Sequence, residues 1–106
     1  RHRQPSGGAL AFAGLTYVPR TMTVQRDTRR IPLTRLQGSL LAVLLQEAPR
    51  IVPHARLIDA AWGEDGGDIA ALQTQVYELR ALVDKPFAQP LIHTVRGIGY
   101  RLASPA

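Results

Sequence analysis

The residues with the most evident chemistry are two arginines near the end of the chain, Arg96 and Arg101, which flank the dipeptide Gly97-Ile98. Guanidinium groups are permanent cations with a planar set of donors, so they suit phosphate and carboxylate partners. The segment 91–102 is rich in strand formers on both sides of this dipeptide, and glycine at the first position of a two-residue loop is typical of a type II′ turn. We therefore predict a β-hairpin with cations close to its tip.

Groups that could catalyse a reaction or bind a metal ion are scattered along the chain. The three histidines have no metal-ligand spacing, and there is no cysteine. The glycines of Gly97–Gly99 lie inside the predicted hairpin rather than before a helix, which argues against a phosphate-binding loop. Asp65 and Asp68 stand beside two glycines and are more simply a solvated loop and a helix cap. We expect no enzyme activity, no metal site and no cofactor.

Composition restricts the class of partner. The chain has 106 residues, 45% of them hydrophobic and 20% charged, which predicts one globular domain with a single core. Its net charge of +5 favours an anionic partner. The excess of positive charge lies in residues 1–35, which contain seven arginines and one aspartate. The competing explanation for this charge is a solvated basic surface without a specific partner. The sequence shows neither a membrane span nor a signal peptide, and we expect a cytoplasmic protein.

The N-terminal third has the pattern of a small antiparallel sheet. Residues 1–8 are polar and rich in glycine and arginine and are interpreted as a linker or tail, so that the domain occupies residues 9–106. Apolar residues then alternate over 10–17, and Met22 and Val24 alternate with polar neighbours in a second strand. Asp27 marks a turn, and the segment 30–33 is expected to be an edge strand because it contains a proline.

Three helices are predicted after the sheet. The first begins at a capping box formed by Thr34 and Gln37 and ends before Pro49. Ile51 and Val52 are expected to form a short bridge strand. The second helix begins with Pro53 as its first residue and ends at a Gly63 cap. The third runs over 69–83 with Asp68 as its N-cap. Its apolar residues recur every three or four positions and predict one buried stripe: Ile69, Leu72, Val76, Leu79 and Val83.

The opposite face of the third helix is polar. It presents Thr74, Tyr77 and Glu78, with Gln75 to one side. Side chains of these types can meet base edges in the major groove of DNA. The simpler interpretation is that they are solvated surface positions, and the helix taken alone favours that interpretation.

The order of sheet, three helices and hairpin resembles one family. From Pro32 to Leu102 the chain is similar to the DNA-binding domain of OmpR/PhoB-type response regulators, and the most specific signal is the run Thr94–Arg101, TVRGIGYR. Further matches are found at 32–34, at 57–63 and at 76–80. The resemblance implies an α+β fold, a winged helix-turn-helix with an N-terminal antiparallel β-sheet, three helices and a C-terminal β-hairpin wing. The third helix would enter the major groove, and the wing the neighbouring minor groove.

The resemblance also implies functional residues and partners. The positions that match DNA-contacting positions of the family are Trp62, Thr74, Gln75, Tyr77, Glu78, Arg80, Thr94, Arg96 and Tyr100. The loop Gly63–Asp68 would be a contact surface for RNA polymerase. The family usually couples this domain to a phosphorylated receiver domain and binds direct repeats in double-stranded DNA as a homodimer.

The chain departs from the family pattern on the third helix. Gln75 replaces a histidine, and Tyr77 and Glu78 stand where basic residues are common, so few phosphate contacts remain there. We expect Gln75, Tyr77 and Glu78 to recognise bases. Cations elsewhere, including Arg80, Arg96 and the arginine-rich sheet, would attract the DNA backbone. Two alternatives stay open: a winged-helix module that contacts proteins and binds DNA weakly, and the DNA-binding domain of a regulator outside the two-component class.

Overall fold

The N-terminal sheet is built from strands that follow one another along the chain. The computed structural model describes residues 8–104, so all of the predicted linker except Gly8 lies outside the described residues. The four strands are antiparallel neighbours in sequence order: β1 Leu10–Phe12, β2 Leu15–Val18, β3 Thr23–Arg26 and β4 Arg29–Pro32. The register places Tyr17 opposite Val24 and Val24 opposite Ile31, so the apolar residues share the face that packs on the helices.

The predicted strand that contains Met22 and Val24 corresponds to β3, which begins at Thr23, one residue after Met22. Met22 lies in the turn before β3 with a φ of 52°, and its side chain is exposed. Its carbonyl still accepts a hydrogen bond from Leu33 N–H, in continuation of the β3–β4 pairing, but the positive φ takes the residue out of the extended strand conformation. The predicted turn at Asp27 is confirmed, with a φ of 55°.

The helices agree closely with the predicted ones. They are α1 Arg35–Glu47, α2 His54–Trp62 and α3 Ile69–Val83, and a 3₁₀ turn, Gly63–Asp65, follows α2. The capping box of α1 is formed in both directions, with distances of 3.2 Å from Gln37 N to Thr34 Oγ1 and 2.9 Å from Thr34 N to Gln37 Oε1. Asp68 caps α3 by accepting from Ala71 N–H at 2.8 Å.

Two predictions for the helices need correction. Pro53 is the N-cap of α2, not its first helical residue, because it is extended and pairs in a two-residue strand, β5 Val52–Pro53. Ile51 lies outside that strand and is exposed. Ile69 does not belong to the buried stripe: it is 48% exposed, because it follows a loop that is exposed throughout. The other four members of the stripe are buried as predicted.

The C-terminal hairpin forms a second sheet with β5. Its strands are β6 Ile92–Val95 and β7 Gly99–Leu102, and the strand order is β5-β7-β6. A Cβ at Gly99 would collide with the Val52 carbonyl, so glycine permits the close approach of β7 to β5. This element completes the predicted order of a winged helix-turn-helix, which is confirmed.

The hairpin turn differs from the predicted type II′ turn. Val95 pairs with Gly99, which leaves three loop residues, 96–98, instead of two. Ile98 N–H donates to Val95 O at 3.0 Å, and Gly97 has a φ of 73° at the third position of this turn, as in a type II turn. The Ile98 carbonyl accepts from His54 N–H at 3.0 Å, which continues the pairing of β5 with β7 and fixes the loop against the start of α2.

Candidate nucleic-acid interface

The exposed face of α3 is the largest element of the candidate site. Burial of Leu72, Val76, Leu79 and Val83 against the core turns the opposite side of the helix to solvent. That side presents Thr74, Tyr77 and Glu78, and Tyr77 is 69% exposed. Gln75 is half-buried at the edge of this face. The helix therefore offers polar and aromatic groups with little cationic charge.

Thr74 and Glu78 both present hydrogen-bond acceptors. The Thr74 hydroxyl donates to Ala70 O within the helix at 3.2 Å, which leaves its lone pairs free. Glu78 is exposed and forms no ion pair among residues 8–104. The centre of the α3 face is thus rich in acceptors.

Arg80 connects α3 to the hairpin. Its Nε donates to Ile92 O at 3.3 Å and its Nη2 donates to Thr94 Oγ1 at 2.6 Å. The guanidinium lies 5.6 Å from the centroid of the Tyr100 ring. These contacts place β6 beside the C-terminal half of α3, so the recognition face and the hairpin have a defined relative position.

Tyr100, for which the resemblance to the family implied a DNA contact, lies buried at the base of the hairpin. It is only 4% exposed, and its ring packs edge-on against His54 with centroids 5.8 Å apart. The ring packs beside Arg80 at the base of the hairpin, so only the small exposed remainder of the side chain can meet DNA. Along β7 the Tyr100 side chain shares the core-facing side with Leu102, which is fully buried.

Trp62 is half-buried at the end of α2. Its ring lies against Gly67, where a Cβ would come within 2.6 Å of the ring carbon Cε3. The ring therefore supports the exposed loop Gly63–Asp68, and only the remainder of its surface can face a ligand. Three glycines of this loop have positive φ angles, Gly63, Gly66 and Gly67.

The tip of the hairpin is exposed and anchored. Arg96 is exposed and Ile98 is 49% exposed. The hydrogen bond from His54 N–H to Ile98 O joins the tip to the start of α2. Arg101 is half-buried and lies opposite His93 in the strand register, on the other face of the hairpin. It therefore does not share the surface of Arg80. Arg96 is consequently the cation best placed at the tip.

One sheet arginine has a structural role that the sequence did not reveal. Arg26 and Asp84 form a buried ion pair at 2.9 Å, with side chains 8% and 7% exposed. Arg26 also donates to the carbonyls of Val83 and Gln89. This corrects the expectation that the sheet arginines as a group attract DNA. The available signal was Asp84 itself, because an acid at a helix C-terminus is unfavourable unless other groups compensate it.

The other arginines of the sheet are exposed but lie on different sides of it. In the strand register Arg30 lies opposite Gln25, and Gln25 lies opposite Thr16. The three side chains share the outer face of the sheet, which points away from the core. Arg29 lies 5.8 Å from the ring of Phe87, in the segment that follows α3. The sheet therefore does not concentrate its cations beside the α3 face.

Two further arginines lie near α2 and share one carboxylate. Glu47 accepts from Arg50 at 3.1 Å and from Arg56 at 3.4 Å. The hydrogen bond from Arg50 is the main reason why the pKa of Glu47 is lowered from its usual value. These cations are partly neutralised before any ligand binds.

The described residues offer neither a metal site nor a membrane span. Among residues 8–104, no group of three or more His, Cys, Asp or Glu side chains could hold a metal ion. None of the helices in the same part of the chain is long and apolar enough to span a membrane.

Comparison with known proteins gives a consistent result. A family described as "Transcriptional regulatory protein, C terminal" matches residues 28–102, which run from the turn before β4 to the end of the hairpin. The response regulator MprA of Mycobacterium sp. (strain KMS) is 38% identical over 101 residues, covering 92% of this chain and 43% of that protein.

Solved structures agree with the sequence match. The C-terminal domain of the nisin resistance regulator NsrR, a lantibiotic response regulator, is 28% identical with a TM-score of 0.78, and the match covers 92% of this chain and 99% of that one. The Klebsiella pneumoniae RstA DNA-binding domain, solved in complex with the RstA box, is 26% identical with a TM-score of 0.73. That match covers 90% and 96% of the two chains.

Proposed function

The chain belongs to the OmpR/PhoB-type family of C-terminal domains of transcriptional regulatory proteins, and from this premise we propose that it binds double-stranded DNA in a sequence-specific manner. It would act as the effector domain of a two-component response regulator that controls transcription. The observation that best supports this function is the contact of Arg80 with Ile92 and Thr94, which holds the exposed α3 face beside the hairpin wing. A helix and a wing in this arrangement can occupy adjacent grooves of one duplex.

The proposed contacts divide into two classes. Thr74, Gln75, Tyr77 and Glu78 would face base edges in the major groove, where their acceptors, donors and aromatic surface can distinguish base pairs. Contacts to the backbone or minor groove would come from the remaining accessible site residues: Trp62, Arg80, Thr94 and Arg96. Arg80 and Arg96 are the cations of this set, so we expect a shallow dependence of affinity on salt compared with a highly basic recognition helix.

Further partners belong to the whole protein. The chain spans 43% of the length of the MprA relative, and we propose that the full-length protein also contains a receiver domain. In that protein the domain would bind repeated DNA sites as a homodimer. The exposed loop Gly63–Asp68, with Glu64 and Asp65 in its 3₁₀ turn, would contact RNA polymerase. Such a regulator would work in the cytoplasm, where bacterial DNA lies.

The experiment for the proposed function is retention of genomic duplex fragments on the immobilised domain, followed by sequencing, at two salt concentrations. We expect enrichment of a repeated motif and weaker retention at the higher salt concentration. Retention without any common motif would contradict sequence-specific binding and favour the protein-contact alternative.

A matched pair of arginine variants tests the role of the wing. Arg96→Ala should weaken binding to the selected motif and reduce the log–log salt slope by about one unit. Arg30→Ala removes the same charge from the outer face of the sheet and should have a much smaller effect. Equal losses in the two variants, or no loss for Arg96→Ala, would refute the proposed wing contact.

A further inference from the structure

Glu78 is an unusual group for a DNA-facing position because its charge is not neutralised by the protein. It is exposed and has no ion-pair partner in the described part of the chain. Arg80 is two residues away but is engaged with Ile92 O and Thr94 Oγ1. Lys85, the next cation along the chain, lies beyond the C-terminal end of α3. In a complex with DNA, hydrogen-bond donors for this carboxylate would come from the bases.

The major groove offers only two exocyclic donors to a carboxylate. These are the N4 amino group of cytosine and the N6 amino group of adenine, whereas guanine presents N7 and O6 as acceptors and thymine presents O4. On adenine the N7 acceptor adjoins the amino group and repels a second carboxylate oxygen. The neighbour of the cytosine amino group is an apolar C5–H. A carboxylate on the α3 face consequently favours cytosine and disfavours the other three bases.

Thr74 adds a second acceptor one turn earlier on α3. Its hydroxyl hydrogen is donated to Ala70 O, so it too faces outward as an acceptor. Thr74 and Glu78 are four residues apart, about 6 Å along the helix axis, which corresponds to about two base-pair steps of 3.4 Å. The two side chains thus present acceptors to nearby positions of one binding site.

We propose, on the basis of the function proposed above, that Glu78 is a specificity-determining residue that selects cytosine at one position of the DNA target. Thr74 would accept from an amino-bearing base, cytosine or adenine, about two steps away. The remaining bases at the Glu78 position would be rejected mainly by repulsion between their acceptors and the carboxylate.

The test is selection from a randomised duplex library by three proteins: the unmodified domain, Glu78→Gln, and Asp59→Asn as a control. Asp59 is an exposed acid on α2, so its variant removes an equal charge away from α3. The unmodified domain and the control should enrich cytosine at one position. Substitution of that cytosine by thymine should weaken their binding on the order of ten-fold or more. Glu78→Gln should lose the cytosine preference at that position only, and shift it toward adenine, because glutamine pairs with adenine N6 and N7.

The outcomes separate this inference from the function on which it rests. A motif that is identical for the unmodified domain and Glu78→Gln would overturn the role of Glu78 and leave sequence-specific binding intact. A loss of cytosine preference in Asp59→Asn as well would also overturn it, since net charge rather than contact would then be responsible. If the unmodified domain selects no motif, the inference and the proposed function both fail.

Discussion

Loss of the buried Asp84 carboxylate should destabilise this domain more than loss of any exposed charge. Asp84 accepts from Arg26 Nη1 at 2.9 Å and from the backbone N–H groups of Leu91 and Ile92 at 3.0 Å each. It therefore joins the N-terminal sheet, the end of α3 and the first strand of the wing. Asp84→Ala removes the partner of a buried cation and leaves two buried N–H groups without an acceptor.

The structure allows the free energy of unfolding to be estimated for each variant. Removing one member of a buried ion pair lowers stability by about 3–5 kcal/mol, which is the loss expected for Arg26→Met. Asp84→Ala should exceed it, because each orphaned N–H adds a penalty of ~1–3 kcal/mol. Domains of this kind have a total stability of about 5–15 kcal/mol, so Asp84→Ala should bring the protein close to unfolding.

Urea unfolding followed by far-UV circular dichroism at neutral pH measures these differences. Arg50→Met is the matched control, since Arg50 pairs with Glu47 but is 73% exposed, and exposed pairs contribute ~0–1 kcal/mol. The reasoning would be refuted if Asp84→Ala stayed within about 1 kcal/mol of the unmodified domain, or if Arg50→Met were as damaging as Arg26→Met.

Three other predictions test the packing and the position of the wing. Gly38→Ala should lower stability by about 1–3 kcal/mol, because a Cβ there would overlap the Tyr17 hydroxyl. Adding Tyr17→Phe should recover most of the loss in thermal unfolding, and no recovery would contradict the contact. Burial raises the pKa of Tyr17, so the unfolded chain ionises first and stability falls as pH rises past about 10. Tyr17→Phe should reduce this alkaline loss in pH-dependent unfolding, and an unchanged pH profile would argue against it. Arg80→Met should speed amide hydrogen exchange in β6 and weaken DNA binding while α1 stays protected, whereas unchanged exchange near Thr94 would show that Arg80 does not hold the wing.

Local patterns predicted the helices and the exposed α3 face because each depends on neighbours a few residues apart. The capping box at Thr34 and Gln37 and the N-cap at Asp68 are contacts over three residues, and both form as predicted. The buried stripe of α3 follows the helical repeat. Residues on the opposite face, such as Tyr77 and Glu78, were therefore placed correctly on the surface.

Features that depend on distant residues could not be predicted in this way. Arg26 has the appearance of a solvated strand residue, but its partner Asp84 lies 58 positions away. The tip of the hairpin likewise meets a residue distant in sequence, since Ile98 O accepts from His54 N–H. Tyr100 matches the family motif, yet the sequence does not indicate that packing against His54 and Arg80 buries it.

DNA should meet this domain on α3 and on the tip of the wing. The most direct measurement is NMR titration of the isotopically labelled domain with a selected duplex, with amide shift changes mapped on the structure. We predict the largest changes over α3, around Thr74 to Glu78, and at Arg96. The outer face of the sheet, at Thr16 and Gln25, should change little. Changes centred on that outer face, with α3 and the wing unaffected, would contradict this position of the DNA.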